Sequence, residues 1–554
     1  MSRSSQPGQR RLRVLGLELP LGEEESALRG LACERLGVPS EQLIALRLAR
    51  KSIDLRGRAQ GRAPRWIVHA DVTLAPRVRS AKLQRLLRSG RVQEAPAPAC
   101  LGVEASHADF RASTPRRVVV VGSGPGGVFA ALSLALSGVQ VDVLERGARI
   151  DERSGRVARF HRTRRVDRES NLLFGEGGAG TYSDGKLYTR VNDALEVNVL
   201  QELVRAGARE DILWDSRAHI GTDRLHAVLP ALRQRLEELG VAFHFETRFE
   251  GLVLAPGARG RVRAVATSAG ELGCDALIVA IGHSAEDTWR ALERDGVRFE
   301  AKPFQLGVRV EHPQELVNRA RYGAQALERE LGAASYNLVQ KAQPGASGAH
   351  SFCMCPGGKI VASINAQGML CTNGMSNSTH ASPWANSAVV TTYDEGDFGP
   401  GAFAAVEFRG RLERAFFEAG GGDCTAPAQR VPDFLAGRET AQPGRSSYTF
   451  GVVPGRIDQL LPQGGAEALR RALVRFDRLL EGFASQAGLL VGLESRSSGP
   501  VRMPRARDKR LADGFENLYP VGEGAGYSGG IMSAALDGVH SARALLLNGI
   551  SVRR

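Results

Sequence analysis

"RVVVVGSGPGGVFAALSLALSGVQVDVLERG", residues 117–147, decides the fold. Val118–Val121 is an unbroken apolar run, the pattern of a parallel strand covered on both faces. Gly122, Gly124 and Gly127 follow in GxGxxG spacing. Pro125, Gly126 and a run of small residues then read as a helix stopped at Gly138, and a second apolar run ends at Glu145. Gly122 makes the tight turn, Gly124 admits a pyrophosphate, and Gly127 lets helix and strand pack closely. The helix N-terminus offers free N–H groups and a positive dipole to phosphates. Glu145, eighteen residues beyond Gly127, is placed to accept both ribose hydroxyls of an adenosine, with Arg146 beside it. Together these elements predict a dinucleotide-binding βαβ unit.

Outward from this unit, "FGEGGAGTYSDGKLY" (174–188) packs five glycines into a short run bracketed by Leu172, Leu173, Leu187 and Tyr188. Glycine at that density lets main-chain N–H groups approach a ligand, and the apolar anchors distinguish the run from a solvated linker. Gly178, Gly180, Thr181, Ser183, Asp184, Gly185 and Lys186 are its candidate ligand contacts. "CDALIVAIGHS" (274–284) reads as another strand and turn, with Gly282 at the turn. "NLYPVGEGAGYSGGIMSAALDG" (517–538) reads as a short strand, a turn at Gly522 and Glu523, and a helix from Gly530 and Ile531 whose N-terminus can face a flavin pyrimidine. NAD enzymes need only the first unit. A return to the cofactor near the C-terminus is the habit of glutathione-reductase-type flavoproteins, so the expected cofactor is FAD. The glycine run then wraps the diphosphate and isoalloxazine.

Residues 11–21 and 65–74 alternate as strands, the latter placing Trp66, Val68, Ala70, Val72 and Leu74 on one face. "GEEESALRGLACERLG" between them reads as a helix with an acidic first turn, followed by a strand in "LIALRLARKSID". At 554 residues the chain is too long for one core. The expected layout is an N-terminal α+β module (1–90), an Ala- and Pro-rich linker (91–115), the FAD-binding domain in two parts (116–300 and 497–554) and an α+β substrate domain (301–496) inserted between them. The net charge of +13 comes mostly from arginines spread along the chain and is weak evidence for a polyanionic partner. Seven cysteines form no small disulfide framework, and only Cys353 and Cys355 lie close together, so no metal site is expected. No apolar run is long enough for a membrane span, and a cytoplasmic location is the expectation.

"FGEGGAGTYSDGKLYTR", "AIGHSAEDTW", "KPFQLGVRVEHPQ", "SFCMCPGGKIV", "TNGMSNSTHASPWANSA" and "ESRSSGPVRM" add to the C-terminal motif. With them the chain resembles, over nearly its whole length, a bacterial family of FAD-dependent dehydrogenases, also labelled NAD(P)/FAD-dependent oxidoreductases. The resemblance implies an α/β, glutathione-reductase-type FAD fold with an inserted substrate domain, and it implies no substrate. The chain departs from the family pattern at His380, Trp384 and Gly499, where arginine, asparagine and serine are usual.

Lys186, His283, Arg309, His312, Arg496 and Arg502 are the polar candidates for the flavin face. Lys186, His283 and Arg496 are the catalytic candidates: a cation stabilises anionic reduced flavin, an imidazole exchanges the substrate proton, and Arg496 offers bidentate geometry for a substrate carboxylate. For His283 and Arg309, taken singly, the better reading is a side chain that satisfies local backbone carbonyls. In a straight strand Cys353 and Cys355 share a face with their Cα atoms at the upper limit for a disulfide, so they read as small buried residues beside the active site. The expected function is an FAD-dependent oxidoreductase moving a hydride between flavin N5 and an organic substrate, with a separate electron donor or acceptor as a second partner. One alternative is an RNA- or tRNA-modifying flavoprotein docking nucleic acid through the basic N-terminal module. Another is a non-catalytic protein holding FAD as a structural or sensing element.

Overall fold

The computed structural model describes residues 10–56, 63–78, 80–96, 99–103, 116–189, 191, 193–257, 260–323 and 329–551. The chain divides into two compact units. The first takes in the described residues up to Ala99 together with Arg209–His219, and the second comprises most of the remainder.

In the first unit, four antiparallel strands lie in the order Leu43–Asp54, Arg65–Leu74, Arg10–Pro20, Val92–Glu94. Alternation buries Val68, Ala70, Val72 and Leu74, while Trp66 on the same face stays half-buried. The helices Ala27–Leu36 and Ala81–Arg88 add Leu28, Ala32, Leu36, Leu83 and Leu86 to that core. The first helix starts later than its sequence suggests: Glu23, Glu24 and Glu25 precede it, Ser26 is its N-cap, and its first turn holds no acid. Trp214 joins this unit through its carbonyl, which accepts the Lys51 N–H at 2.7 Å, and the Lys51 ammonium sits over the Trp66 and Trp214 rings.

In the second unit, a parallel sheet has the order Leu518–Pro520, Ala276–Val279, Arg117–Val121, Gln140–Leu144, Ala242–His244. Val118–Val121 and Ala276–Val279 are buried, as the unbroken apolar runs require; each such side chain contributes about 1.5–3 kcal/mol of burial. An antiparallel meander (Phe249–Leu254, Val262–Thr267, Gly270–Gly273) adjoins it in sequence. The helix Pro125–Leu136 leaves the first strand, and the C-terminal helix Ile531–Ser551 packs on it so closely that a Cβ on Gly538 would lie 2.0 Å from the Gly126 carbonyl oxygen.

Between Ala276–Val279 and Leu518–Pro520 the chain builds a seven-stranded sheet. Its order is Val339–Gln340, Ala349–Cys355, Trp384–Tyr393, Phe304–Pro313, Leu489–Glu494, Ala426–Arg430, Val452–Pro454. All neighbours are antiparallel except the last pair. Among the described residues, no helix is long and apolar enough to cross a membrane.

Candidate active site

One cleft of the second unit gathers residues from every glycine motif. Gly122, Gly124, Pro125, Gly126, Glu145 and Arg146 line it from the βαβ unit, and Gly178, Gly180, Ser183, Asp184, Gly185 and Lys186 from the glycine run. Gly282 and His283 follow the strand Ala276–Val279, and Gly522, Glu523, Gly530 and Ile531 come from the C-terminal segment.

Of the candidate cofactor contacts, Gly127 and Thr181 do not line the cleft. Gly127 serves packing alone, since a Cβ there would lie 1.9 Å from the Gly122 carbonyl oxygen. Thr181 is buried behind the loop, donating to the Glu176 carbonyl at 3.1 Å and accepting from Arg153 at 3.1 Å; it shapes the loop from within.

Gly124 differs from Gly127. It is the N-cap of the helix, with φ −71°, a value any residue adopts, and a Cβ on it would meet nothing closer than Gly178 Cα at 3.9 Å. Nothing inside the protein therefore demands glycine at 124. The absent side chain would project into the cleft at a helix N-terminus, where an anion gains both donors and dipole.

Glu145 ties the two glycine segments together. One carboxylate oxygen accepts from the Ser123 N–H (3.0 Å) and hydroxyl (2.7 Å), the other from the Gly147 and Gly175 N–H groups (2.9 and 3.0 Å). The sequence reading gave this carboxylate to ribose hydroxyls alone; in the structure those hydroxyls would share it with the backbone. Arg146 lies over the Phe174 ring at 4.4 Å and is fixed by Asp287 and Glu169.

Arg153, which the sequence reading passed over, organises the glycine run from beneath. Its fully buried guanidinium donates to the carbonyls of Asn171 (2.9 Å), Gly175 (3.3 Å), Glu176 (2.6 Å) and Gly178 (2.9 Å). Arginine in an arginine-rich stretch is ordinary, and only the fold reveals that this one, on the helix Ile150–Thr163, faces inward.

At the end of the cleft formed with the seven-stranded sheet stand Phe352, Cys353, Asn373 and Arg496. The Lys186 ammonium donates to the Met354 carbonyl and lies 3.3 Å from Asp184, whose other oxygen accepts from Ser376. Burial opposes its charge, yet Cys353 and Asp184 raise its pKa, so Lys186 is a fixed cation rather than a base. His283 is pulled down to about 3 by burial and by Arg496 and Arg409; its Nδ1 pairs with the Ser284 hydroxyl at 2.7 Å. It is a neutral imidazole with little basicity, unlike the proton carrier the sequence suggested.

One side of the Arg496 fork is already engaged. Nε and Nη2 bond the two oxygens of buried Glu413 at 3.0 and 2.8 Å, so side-on bidentate capture of a substrate carboxylate through those two nitrogens is not open to it, and Nη1 is left without a protein partner. Arg309, His312 and Arg502 do not line the cleft. Arg309 is buried against Glu494 (3.3 Å) and the Cys353 carbonyl (3.0 Å), His312 bonds the Phe483 carbonyl at 2.8 Å within the core, and Arg502 is exposed beside Tyr527. Thr247 and Arg248, beyond the strand Ala242–His244, line the cleft and carried no sequence signal.

A family model described as "FAD-dependent protein, C-terminal domain-like" matches residues 303–497, the span of the seven-stranded sheet. An uncharacterised protein of Clostridium beijerinckii is 36% identical over 538 residues, 97% of this chain and 98% of its own. The chain belongs to this FAD-dependent family. Among solved structures, the FAD-dependent protein has a weak likeness to the glycerol-3-phosphate dehydrogenase of Bacillus halodurans complexed with FAD. That match has 11% identity, covers 78% of this chain and 64% of that one, and has a TM-score of 0.34. For a flavoprotein/dehydrogenase of Cytophaga hutchinsonii the values are 12%, 79%, 78% and 0.34. For the glycine oxidase of Bacillus cereus they are 11%, 78%, 95% and 0.31. Scores this low carry no argument about architecture or substrate, which rest on the residues of the cleft.

Proposed function

We propose that the cleft holds FAD and that this FAD-dependent oxidoreductase moves a hydride between flavin N5 and a small organic substrate. Gly124 carries the reading: the protein has no internal use for a glycine there, and a pyrophosphate at the helix N-terminus gives it one. The adenosine end would be held by Glu145 and Arg146, the diphosphate by Gly124, Pro125, Gly126, Gly178 and Gly180, and the ribityl and flavin by Gly282, Gly522, Glu523, Gly530 and Ile531. The parallel sheet, the meander and the return of the C-terminal helix to the first glycine turn support a glutathione-reductase-type arrangement, with residues 301–496 as the inserted substrate domain.

When bound, FAD supplies a centre that accepts or gives two electrons. Lys186 places a permanent cation at the reacting end, where negative charge gathers on reduction. His283 stays neutral and orients by hydrogen bonding. Glu523, pushed up to about 8 by burial against the opposing pull of Lys302, remains protonated at neutral pH and can hold or release a proton in the cleft. The Arg496–Glu413 pair keeps the wall rigid. An anaerobic metabolite screen that follows flavin absorbance tests the reading. One compound or chemical class should bleach the bound flavin; FAD that no metabolite or reductant bleaches would contradict turnover.

A further inference from the structure

The strand carrying Cys353 and Cys355 is not straight. Its pairing with Trp384–Tyr393 advances three residues, from Phe352 to Cys355, while the partner advances two, from Ala388 to Asn386. The extra residue makes a bulge, and Cys353 takes φ +44°, a left-handed conformation costing an L-residue about 1–2 kcal/mol. The extended geometry that would hold the two cysteines at the disulfide limit is therefore absent. The Cys355 thiol turns back over the bulge, 3.4 Å from the Cys353 carbonyl oxygen, and the Arg309 guanidinium spans both residues, donating to that carbonyl at 3.0 Å and lying 3.8 Å from the Cys355 sulfur.

Access to the two thiols is unequal. Cys353 is half-buried and lines the cleft, while Cys355 is fully buried behind it, with the Arg309 guanidinium 3.8 Å from its sulfur. Of the two, Cys353 is the one that a molecule in the cleft meets. The charges favour a thiolate at the exposed position. The Cys355 thiol lowers the Cys353 pKa, burial opposes this, Lys186 and Arg309 lower it further, and Asp184 raises it. Glu494, Tyr188 and Tyr336 also face the pair. Cys355 is raised and stays a thiol, with Cys353 the largest cause. A nucleophilic thiolate backed by a buried resolving thiol is the arrangement of a redox pair.

We propose that Cys353 and Cys355 are a redox-active dithiol that exchanges an electron pair with the flavin. The step balances: the Cys353 thiolate and the Cys355 thiol form one S–S bond, and two electrons and the Cys355 proton pass to oxidised FAD, giving its singly protonated two-electron-reduced form. Run in reverse, reduced flavin opens the disulfide, and the Cys353 thiolate attacks a disulfide-bearing partner at the cleft; Cys355 then resolves the mixed disulfide, so the partner leaves as two thiols and the Cys353–Cys355 disulfide is restored. The electron transfer rests on FAD occupying the cleft; the dithiol does not.

The test uses the full-length protein as purified, with Cys353→Ser and Cys355→Ser beside it. After mild diamide oxidation and removal of the reagent, anaerobic dithionite titration should consume about four electrons per flavin in the wild type and about two in either variant. Peptide mass spectrometry should show the Cys353–Cys355 disulfide in the wild type alone. In the reduced protein at pH 6, iodoacetamide should label Cys353 at least ~10-fold faster than the exposed Cys100. Equal electron counts in all three proteins with no disulfide peptide would overturn the proposal. A disulfide in a protein that binds no FAD would overturn the cofactor reading and the electron transfer with it, leaving the dithiol standing.

Discussion

The guanidinium of Arg496 and the carboxylate of Glu413 meet through two bonds, at 3.0 and 2.8 Å, inside a wall of the cleft. Arg409, also fully buried, stands 3.9 Å from the same carboxylate, and the Ser495 hydroxyl donates to it at 2.6 Å. Glu413 thus serves two buried cations at once, and an arginine with the geometry of a substrate anchor is turned into structure.

Glu413→Ala leaves Arg496 buried without its acid, while Arg409 keeps its bond to Glu286, and should destabilise the fold by about 3–5 kcal/mol. Burial alone would raise the Glu413 pKa, but Arg496 and Arg409 hold it below the ordinary value of 4.5. Its contribution is therefore present above the unfolded value and lost as pH falls through the folded one. Urea denaturation should show the wild type losing its advantage over Glu413→Ala in the acid range; a constant difference down to the lowest pH would count against the pairing.

Glu523 has the opposite sign. Burial raises it from 4.5 to about 8, with Lys302 opposing, so its protonated form stabilises the fold below pH 4.5 and that advantage drains away as pH rises toward 8. Glu523→Gln, which keeps the shape without the ionisation, should raise the apoprotein Tm at pH 8 and leave it unchanged at pH 4.5. Thermal denaturation at the two pH values decides this, and equal shifts at both would show that the carboxyl does not titrate in the window.

Arg153→Met should release four loop carbonyls and weaken FAD retention by at least ~10-fold, since each buried acceptor left unpaired costs about 1–3 kcal/mol. The FAD-to-protein ratio after dialysis reads the effect. Full retention would mean that the glycine run keeps its shape without this arginine.

What the sequence revealed and what it concealed divide along contact order. Arg117–Gly147 is a local unit whose turn, helix and second strand are neighbours in the chain, so spacing alone located it. Val118–Val121 announces its burial because a parallel strand has no polar face. Arg153 and the Arg496–Glu413 pair were invisible because their meaning lies in partners from 18 to 83 residues away. The backbone around Cys353 was illegible for a different reason: a straight strand was expected where one inserted residue bends the chain, and a bulge leaves little trace in the pattern of apolar residues.

The account stands on the empty space at Gly124. Gly124→Val places a branched side chain where the structure has no atom closer than 3.9 Å to the new Cβ, at a backbone conformation valine accepts, so the apoprotein should fold as the wild type does. The deciding measurement is bound FAD per chain for the two proteins, from oxidised-flavin absorbance after purification in the presence of FAD, with circular dichroism confirming equal folding. A stoichiometric wild type beside a folded, colourless variant is the expected result; a folded Gly124→Val protein that retains FAD as fully as the wild type would contradict the placement of the cofactor in this cleft.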